Sequence, residues 1–508
     1  MTPKKQTARD YERRWWTLGV LCLSLVMIVV ANASLNVALP TLVKDLHASA
    51  SSLQWIVDAY SLVFAGLLLT AGSLGDRYGR RLALNGGLLL FGTASGLAAF
   101  AHSSGQLIAA RAAMGIGAAL VMPATLSVLA HVFPPEERKR AIAIWAGFAG
   151  VGAALGGVTS GWLLQHFWWG SIFLTNVAVV AIALIAGAIL VPSAADDHEP
   201  ALDIIGASLS IAGLGALIYA IIEAPTRGWL SGATLLSFWV AVVILFAFAA
   251  WELRTPEPML DLRFFRNPQF AAATSTITLI FFVMFGMIFT MTQYLQLVLG
   301  YSPLEAGVRM LPWAVVYMIS APRSSRLVER FGQRLVVSSG LAVVAVGLSV
   351  LALSGLHANY PLLALSLVVT AAGMGMVTAP STGAIIVSLP LNKAGVGSAV
   401  NDTTRELGGA LGVAVMGSVV ASLYRADLPA SAHAATASLG AGLQAAAARP
   451  GPAGVDLAHA ARAAYVHAFD VTLLVAVGVA LLASALVSFV LRPPAVRDVD
   501  EPVVLEAA

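Results

Sequence analysis

About fourteen runs of roughly 20 apolar residues follow one another along the chain. A helix of that length crosses the roughly 30 Å hydrocarbon core of a bilayer, where the backbone must satisfy its own hydrogen bonds. The composition agrees, since 58% of the residues are hydrophobic and only 11% are charged, whereas soluble domains have about 25% charged residues. We therefore predict an all-α membrane protein with fourteen transmembrane helices, which leaves little sequence for a soluble domain.

The basic residues predict how the helices are oriented. With the N-terminus in the cytoplasm, about 21 of the 29 Lys and Arg residues fall on cytoplasmic segments. An even number of helices then places both termini in the cytoplasm. The net charge of +3 follows from this asymmetry, so no nucleic-acid partner is expected. Cys22 is the single cysteine of the sequence, which excludes an internal disulfide.

Two polar, proline-containing segments divide the runs into six, two and six. They are "VPSAADDHEP" (191–200) and "RTPEPMLDLRFFRNPQ" (254–269). The predicted units are an N-terminal six-helix bundle (1–195), a two-helix insertion with cytoplasmic linkers (196–262) and a C-terminal six-helix bundle (263–508). The last unit contains a long external loop at about 425–467, between helices predicted at 397–424 and 468–491. This Ala-rich loop is compatible with short helices or with a mobile segment.

Two short segments resemble each other across the outer units. "GSLGDRYGRR" (72–81) follows the second predicted helix, and "SSRLVERFGQR" (324–334) follows the tenth. Aligning Arg77 with Arg330 also pairs Asp76 with Glu329. The repeat indicates a duplicated bundle, as in many transporters.

Several motifs together resemble the fourteen-helix drug:proton antiporter family of the major facilitator superfamily, which includes quaternary-ammonium exporters. They are "SLNVALPTL" (34–42), "LQWIVDAYSL" (53–62), "GSLGDRYGRR" (72–81), "RAAMGIGAAL" (111–120), "QYLQLVLGYSPLEAG" (293–307) and "MLPWAV" (310–315). The resemblance covers about residues 15–492. It implies a major facilitator fold: two pseudo-symmetric six-helix bundles around a central cavity, two inserted helices, and alternating access. It also implies a bacterial inner (cell) membrane, and we expect the protein to be a monomer.

The loop after the second helix is the most specific of these elements. Its glycines permit close helix contact, and its arginines hold the loop at the cytoplasmic surface. The resemblance implies a gating latch in which Asp76 contacts the thirteenth predicted helix (397–424) in one conformation. The alternative is a loop whose basic residues only fix the topology. The candidate gating residues are Gly72, Gly75, Asp76, Arg77, Gly79, Arg80 and Arg81.

Three acidic residues lie within predicted membrane helices, where charged groups are costly unless they are functional. Asp58 matches an acidic position of the family and is suited to bind a proton or a cationic substrate, unless water simply reaches it near the surface. Asp402 and Glu406 are spaced i, i+4 and share one helix face with Arg405 nearby. Arg405 can pair with one of them and leave the other to titrate, or it can neutralise the whole cluster.

Arg111 resembles the family's membrane-embedded arginine, which would favour proton release from a neighbouring acid. The alternative is an arginine that extends to the membrane surface. Helix five carries glycines suited to tight packing: Gly152, Gly156, Gly157 and Gly161. This motif departs from the family pattern, because Gly157 replaces a proline and Ser160 a glycine. Ala31 and Tyr317 also replace acids that are common in the family, so proton coupling must depend on the remaining three acids.

The predicted function is proton-coupled export of amphipathic or cationic small molecules through a central cavity. The candidate cavity residues are Asn32, Trp55, Tyr60, Trp145, Tyr294, Trp313 and Tyr317. One alternative is export of an endogenous lipid or hydrophobic metabolite without proton coupling, and another is a membrane sensor that does not transport. The sequence has no G-x-x-x-x-G-K-[ST] phosphate loop and no metal-ligand spacing of His residues. We therefore predict a transporter without cofactor or metal, and not an enzyme.

Overall fold

The computed structural model describes residues 8–192, 203–256, 258, 260–356, 359–389, 394–428 and 438–490. Sixteen α-helices account for most of this part of the chain. Their bounds are α1 Ala8–Asp45, α2 Ala50–Tyr78, α3 Arg80–Ala99, α4 Ser104–Val132, α5 Pro135–His166, α6 Ser171–Leu190, α7 Ile204–Arg227, α8 Gly232–Arg254, α9 Pro268–Gln293, α10 Pro303–Arg309, α11 Leu311–Phe331, α12 Gln333–Ala352, α13 Tyr360–Val387, α14 Ala394–Asp427, α15 Leu439–Ala447 and α16 Pro452–Val490. A 3₁₀ turn precedes α9, and a π turn, Tyr294–Val298, continues it.

Fourteen of these helices are long, which confirms the predicted all-α class, and α10 and α15 are short. Among the described residues, twelve of the long helices contain a stretch that is long and apolar enough to cross a membrane. Of the other two, α11 has 21 residues and is more polar, whereas α5 has 32 residues, several of whose side chains lie outside the described part. Since α5 packs along α1 and α11 along α13, both belong to the same helical assembly.

Successive long helices run in opposite directions, so the molecule has two ends. We call the end where α1 begins the proximal end and the opposite one, which carries α10 and α15, the distal end. One buried apolar cluster joins α1 to α6, and a second joins α9 to α16. The inserted helix α7 packs against α2 and α14, and α8 packs against α7. The proposed boundary at 195/196 lies outside the described residues.

The segment predicted as a long distal loop is largely helical. Helix α14 continues to Asp427, α15 lies within the segment, and α16 begins at Pro452, so the predicted start at 468 is wrong. Alanine favours helix, and proline is well suited to a first helical position. The first turns of α16 contain polar residues, so they do not form the long apolar run that is typical of a membrane helix. Gly440 of α15 packs against Val43 of α1, so this segment contacts the first bundle.

The two repeated segments form the same turn at the proximal end. Helix α2 passes into α3 through Gly79 with φ +106°, and α11 passes into α12 through Gly332 with φ +80°. Arg77 lies over the ring of Tyr78 (5.6 Å), and Arg330 lies over that of Phe331 (5.2 Å). These matched geometries support the alignment of the two segments.

Gly79→Ala is expected to destabilise the protein by about 1 to 2 kcal/mol, because an L side chain is strained at this positive φ. Gly332→Ala is expected to behave in the same way. Thermal unfolding of the purified protein in detergent measures the effect. Gly86→Ala is the control, since Gly86 is helical and a methyl group there meets open space. An unfolding temperature of Gly79→Ala equal to or above that of Gly86→Ala would contradict the assignment of strain.

Candidate functional site

Arg111 lies near the start of α4 and is 1% exposed. Its Nε donates to the carbonyl oxygen of Ile56 (3.1 Å), and its Nη2 donates to Asn32 Oδ1 (3.0 Å). The guanidinium group also lies over the ring of Tyr60, 4.3 Å from the centroid. The interpretation as an arginine that extends to the membrane surface is therefore wrong. Arg111 instead ties α1, α2 and α4 together inside the first bundle.

Glu406 of α14 comes from the second bundle and faces this arginine site. Ser61 of α2 lies beside its carboxylate, and Arg111 lies within electrostatic range. Its Oε2 is buried and has no hydrogen-bond partner in the described structure. An acid of one bundle thus lies within electrostatic range of two cations, Arg405 of its own helix and the fixed Arg111 of the other bundle.

Asp402 lies one turn before Glu406 in a different environment. Arg405 Nη1 is 3.6 Å from Asp402 Oδ1, and the amide of Asn401 donates to the same oxygen (3.3 Å). Arg405 also lies over the ring of Phe281, at 4.6 Å. Of the two arrangements left open by the sequence, the structure shows Arg405 in contact with Asp402, while both of these residues also lie within electrostatic range of Glu406.

Asp58 of α2 is 0% exposed, so the interpretation of a water-exposed acid near the surface is wrong. Neither of its carboxylate oxygens has a hydrogen-bond partner among the described residues. It shares a face of α2 with Gln54, one turn earlier, whose amide donates to the carbonyl oxygens of Val413 (3.2 Å) and Ala414 (2.9 Å) in α14. Asp58 therefore lies between this amide contact and Ser61, along the α2–α14 interface.

Sequence reasoning missed Gln54 and Ser61, although both are polar residues in an apolar helix. Their spacing of four and three residues from Asp58 places all three on one face of α2. That periodicity was the available signal. Because Gln54 and Ser61 both meet α14, this polar face of α2 lies at the contact between the two bundles.

The candidate gating loop is only partly described. A methyl group on Gly72 would lie 3.6 Å from Pro123 of α4, so the helices approach closely there. Arg81 donates to the carbonyl oxygen of Ala188 in α6 and thereby fixes the start of α3. Asp76 belongs to α2, but its side chain lies outside the described part, so its role in a latch stays a prediction.

The glycines of α5 pack on two different partners. A methyl group on Gly152 would lie 3.1 Å from Val29 of α1, and one on Gly156 would lie 2.6 Å from Ala33. Further along, methyl groups on Gly157 and Gly161 would meet the second bundle. This surface, the distal glycine contact, consists of Gly157, Gly161, Pro303, Leu304 and Gly307.

The distal glycine contact brings two backbones together. A methyl group on Gly161 would lie 2.6 Å from Leu304 Cα, and one on Gly307 would collide with the carbonyl oxygen of Gly157. The helix α5 is continuous from Pro135 to His166 through this region. The glycines therefore join the bundles at the distal end, a role that the sequence pattern did not predict.

Two of the predicted cavity aromatics lie elsewhere. Tyr294 is fully buried in the second bundle, where it stacks on Phe469 (4.8 Å) and donates to the carbonyl oxygen of Gly355, so its assignment to the cavity is wrong. Trp55 packs against Tyr219 of the inserted α7 (6.4 Å). Both side chains are therefore occupied in packing between helices.

Three other aromatics lie on helices that contact each other across the bundles. Trp313 stacks on Tyr317 with centroids 5.4 Å apart, and the Tyr317 hydroxyl lies 3.1 Å from Thr378 Oγ1. The indole nitrogens of Trp313 and Trp145 are buried and have no hydrogen-bond partner in the described structure. These N–H groups are suited to donate to a bound molecule. The described residues contain no group of three or more His, Cys, Asp or Glu side chains placed to hold a metal ion.

Comparison with known proteins supports the predicted family. Residues 21–413 match the family described as the Major Facilitator Superfamily. The chain is 37% identical over 494 residues to the multidrug efflux pump LfrA of Mycolicibacterium smegmatis, covering 96% of this chain and 98% of LfrA. It is 36% identical over 485 residues to the methyl viologen resistance protein SmvA of Salmonella typhimurium, covering 91% and 95%.

More distant proteins share the fold. The chain is 33% identical over 412 residues to the tetracenomycin C resistance and export protein of Streptomyces glaucescens, covering 81% of this chain and 76% of that one. A solved structure of a bacterial homologue of the human lysosomal transporter Spinster, inward-facing and unoccupied, aligns with TM-score 0.67 and 18% identity over 97% of this chain and 100% of that one. The predictions of a major facilitator fold and of a transporter that is not an enzyme are confirmed. The chain is a multi-pass membrane protein that belongs to the multidrug efflux family of the Major Facilitator Superfamily.

Proposed function

We propose that the protein exports amphipathic or cationic small molecules by proton antiport. The observation that carries this proposal is the partly buried Glu406 of the second bundle, whose Oε2 is buried and free and which lies within electrostatic range of Arg111 of the first. Relatives named as multidrug efflux and methyl viologen resistance proteins support drug-like substrates. Methyl viologen is a dication, which fits a site with buried acids.

The geometry suggests how a proton changes the contact between the bundles. An ionised Glu406 is attracted to Arg111 and holds α14 against α2. When Glu406 binds a proton, it loses this attraction, and the bundles are free to move apart. Asp58, buried on the same interface without a partner, offers a second group for a proton or a cationic substrate.

We further propose that the protein acts as a monomer in the cell membrane with its proximal end in the cytoplasm. The support for this orientation is the concentration of Lys and Arg in proximal segments, among them residues 77–81 and 323–334. Protons would then enter from the distal side, and substrate from the cytoplasm or the inner leaflet.

The protein in proteoliposomes is expected to transport a cationic dye at least tenfold faster under an imposed pH gradient than without one. Asp58→Asn is expected to lose this acceleration, because the amide cannot bind and release a proton near neutral pH. The measurement is dye flux with and without the gradient, together with neutral and lipid-like substrates.

Asp456→Asn is the control, since Asp456 is an exposed acid at the distal end of α16. Flux that ignores the pH gradient but follows a lipid or metabolite gradient would contradict proton antiport and favour the uncoupled exporter. The buried Ala31, in place of the usual acid, makes that second candidate worth testing. Binding without any flux would instead indicate a sensor.

A further inference from the structure

Two acidic side chains meet at the proximal end of the inserted helices, apart from the Arg111 and Glu406 site. Asp203 caps the start of α7, and Glu252 lies in the last turn of α8. Glu252 is only 2% exposed, although a charged side chain at this depth is costly. The proposed transport mechanism uses neither residue, so their burial needs another explanation.

Each carboxylate uses one oxygen for hydrogen bonds and leaves the other free. Asp203 Oδ1 accepts from the backbone N–H of Gly206 (2.7 Å) and from the indole N–H of Trp251 (2.9 Å). Glu252 Oε2 accepts from the backbone N–H of Leu260 (2.8 Å). All three donors are neutral, so none of them compensates a negative charge fully.

The two remaining oxygens face each other. Asp203 Oδ2 and Glu252 Oε1 are buried, and neither has a hydrogen-bond donor in the part of the chain that the structure describes. A methyl group added to Gly206 would collide with both oxygens, so they converge on one point beside this glycine. Two acceptors in contact repel each other unless a proton or a cation lies between them.

We infer that Asp203 and Glu252 form a proton-binding site in which the two carboxyl groups share one proton. Two buried carboxylates this close cannot both be ionised, and one proton satisfies both free oxygens. A metal ion fits less well, because Na⁺ and Ca²⁺ require more oxygen ligands and only these two are free.

The charges around the pair agree with this inference. The third acid close to Glu252 is Asp261, in the turn before α9, and it adds negative charge. Arg254 follows on α8 with an exposed side chain, and Arg263 and Arg266 lie in an exposed 3₁₀ turn. The charged groups that act on Glu252 from α7 and from the following turn are thus both acids, which favours uptake of a proton.

The site also has a structural consequence. Glu252 holds the backbone of Leu260, and Leu260 and Phe264 pack against the buried cluster of the second bundle. The shared proton therefore stabilises the contact between the inserted helices and the second bundle. Loss of the proton would leave two facing negative charges and weaken this contact.

Infrared spectroscopy tests the site directly. At about pH 8 ordinary carboxyl groups are ionised, so the difference spectrum of wild type minus Glu252→Gln is expected to show the C=O band of one protonated carboxyl group. Wild type minus Asp203→Asn is expected to show the same band, and Asn preserves the helix cap. Asp261→Asn is the matched control and is expected to leave the band in place. A difference spectrum without this band for both variants would overturn the inference.

Thermal unfolding gives an independent readout. The folded state holds a proton that the unfolded state releases, so the stabilisation is present at low pH and is lost as the pH rises. The unfolding constant of the wild type relative to Glu252→Gln is expected to rise by up to about tenfold per pH unit over this range. If NaCl, KCl or CaCl₂ at constant ionic strength and pH raises the unfolding temperature of the wild type but not that of Glu252→Gln, the site binds a metal ion and the inference is wrong. Dye transport by Glu252→Gln is expected to stay within twofold of wild type, which separates this result from any failure of proton antiport.

Discussion

Glu406→Gln is expected to reduce pH-gradient-driven transport by at least tenfold while the protein still folds and still binds substrate. The amide preserves the shape of the side chain but cannot release a proton to become an anion opposite Arg111. Residue 406 would then be uncharged at every pH, so α14 would lose its electrostatic attraction to Arg111. The measurement is the ratio of dye flux with and without the gradient, which is expected to fall towards one.

Asp402→Asn provides the sharpest comparison, because Asp402 lies one turn away on the same helix. Its carboxylate is already paired with Arg405 at 3.6 Å, so it has less freedom to exchange protons during transport. We expect Asp402→Asn to retain most of the acceleration by the gradient. Equal losses in the two variants would refute the distinction between a paired and an unpaired acid, and an unchanged ratio in Glu406→Gln would refute the proposed coupling role.

Arg111→Met is expected to lower proton-coupled transport at least tenfold and also to destabilise the first bundle. The change removes the hydrogen bonds to Asn32 and Ile56 and also removes the cation that the first bundle places within range of Glu406. A hydrogen bond to a charged group contributes about 1.5 to 3 kcal/mol, so the loss of two of them exceeds the 1.4 kcal/mol that corresponds to a tenfold change. Flux is measured per folded protein, after size-exclusion chromatography.

Arg227→Met is the matched control. Arg227 also lies over a tyrosine ring, that of Tyr219 (5.1 Å), and pairs with Glu223 (3.6 Å), but on the exposed side of the inserted α7. Because surface ion pairs contribute little, this variant is expected to behave like wild type. Arg111→Lys adds a second test, since lysine keeps the charge but lacks the planar fork that reaches two acceptors. If Arg111→Met transports within twofold of wild type, the arginine has only a packing role or none.

Much of the fold could be predicted from the sequence, because the apolar length of a membrane helix is fixed by the bilayer. The long helices, their alternating direction and the repeated turns at Gly79 and Gly332 all follow from local patterns. The start of α16 could not be found in this way. Its first turns are polar and Ala-rich, and such residues form helix without producing a long apolar run.

The candidate site was less predictable, since its residues come from separate helices. The sequence indicated that Asp402, Arg405 and Glu406 share a face, but not which acid pairs with the arginine. That choice depends on what the neighbouring helices offer: Ser61 of α2 beside Glu406, and Phe281 of α9 beneath Arg405. The assignment of Tyr294 to the cavity was wrong for the same reason, because its hydroxyl group finds a hydrogen-bond acceptor within its own bundle.

The composition of the distal glycine contact also bears on the movement of protons across the protein. Gly157 and Gly307 bring two backbones together without intervening side chains, so the contact contains no group that changes charge with pH. We therefore expect this contact to be equally tight in acidic and alkaline surroundings. No side chain of this contact can relay a proton, which is the property that a transporter needs wherever it closes against a proton gradient.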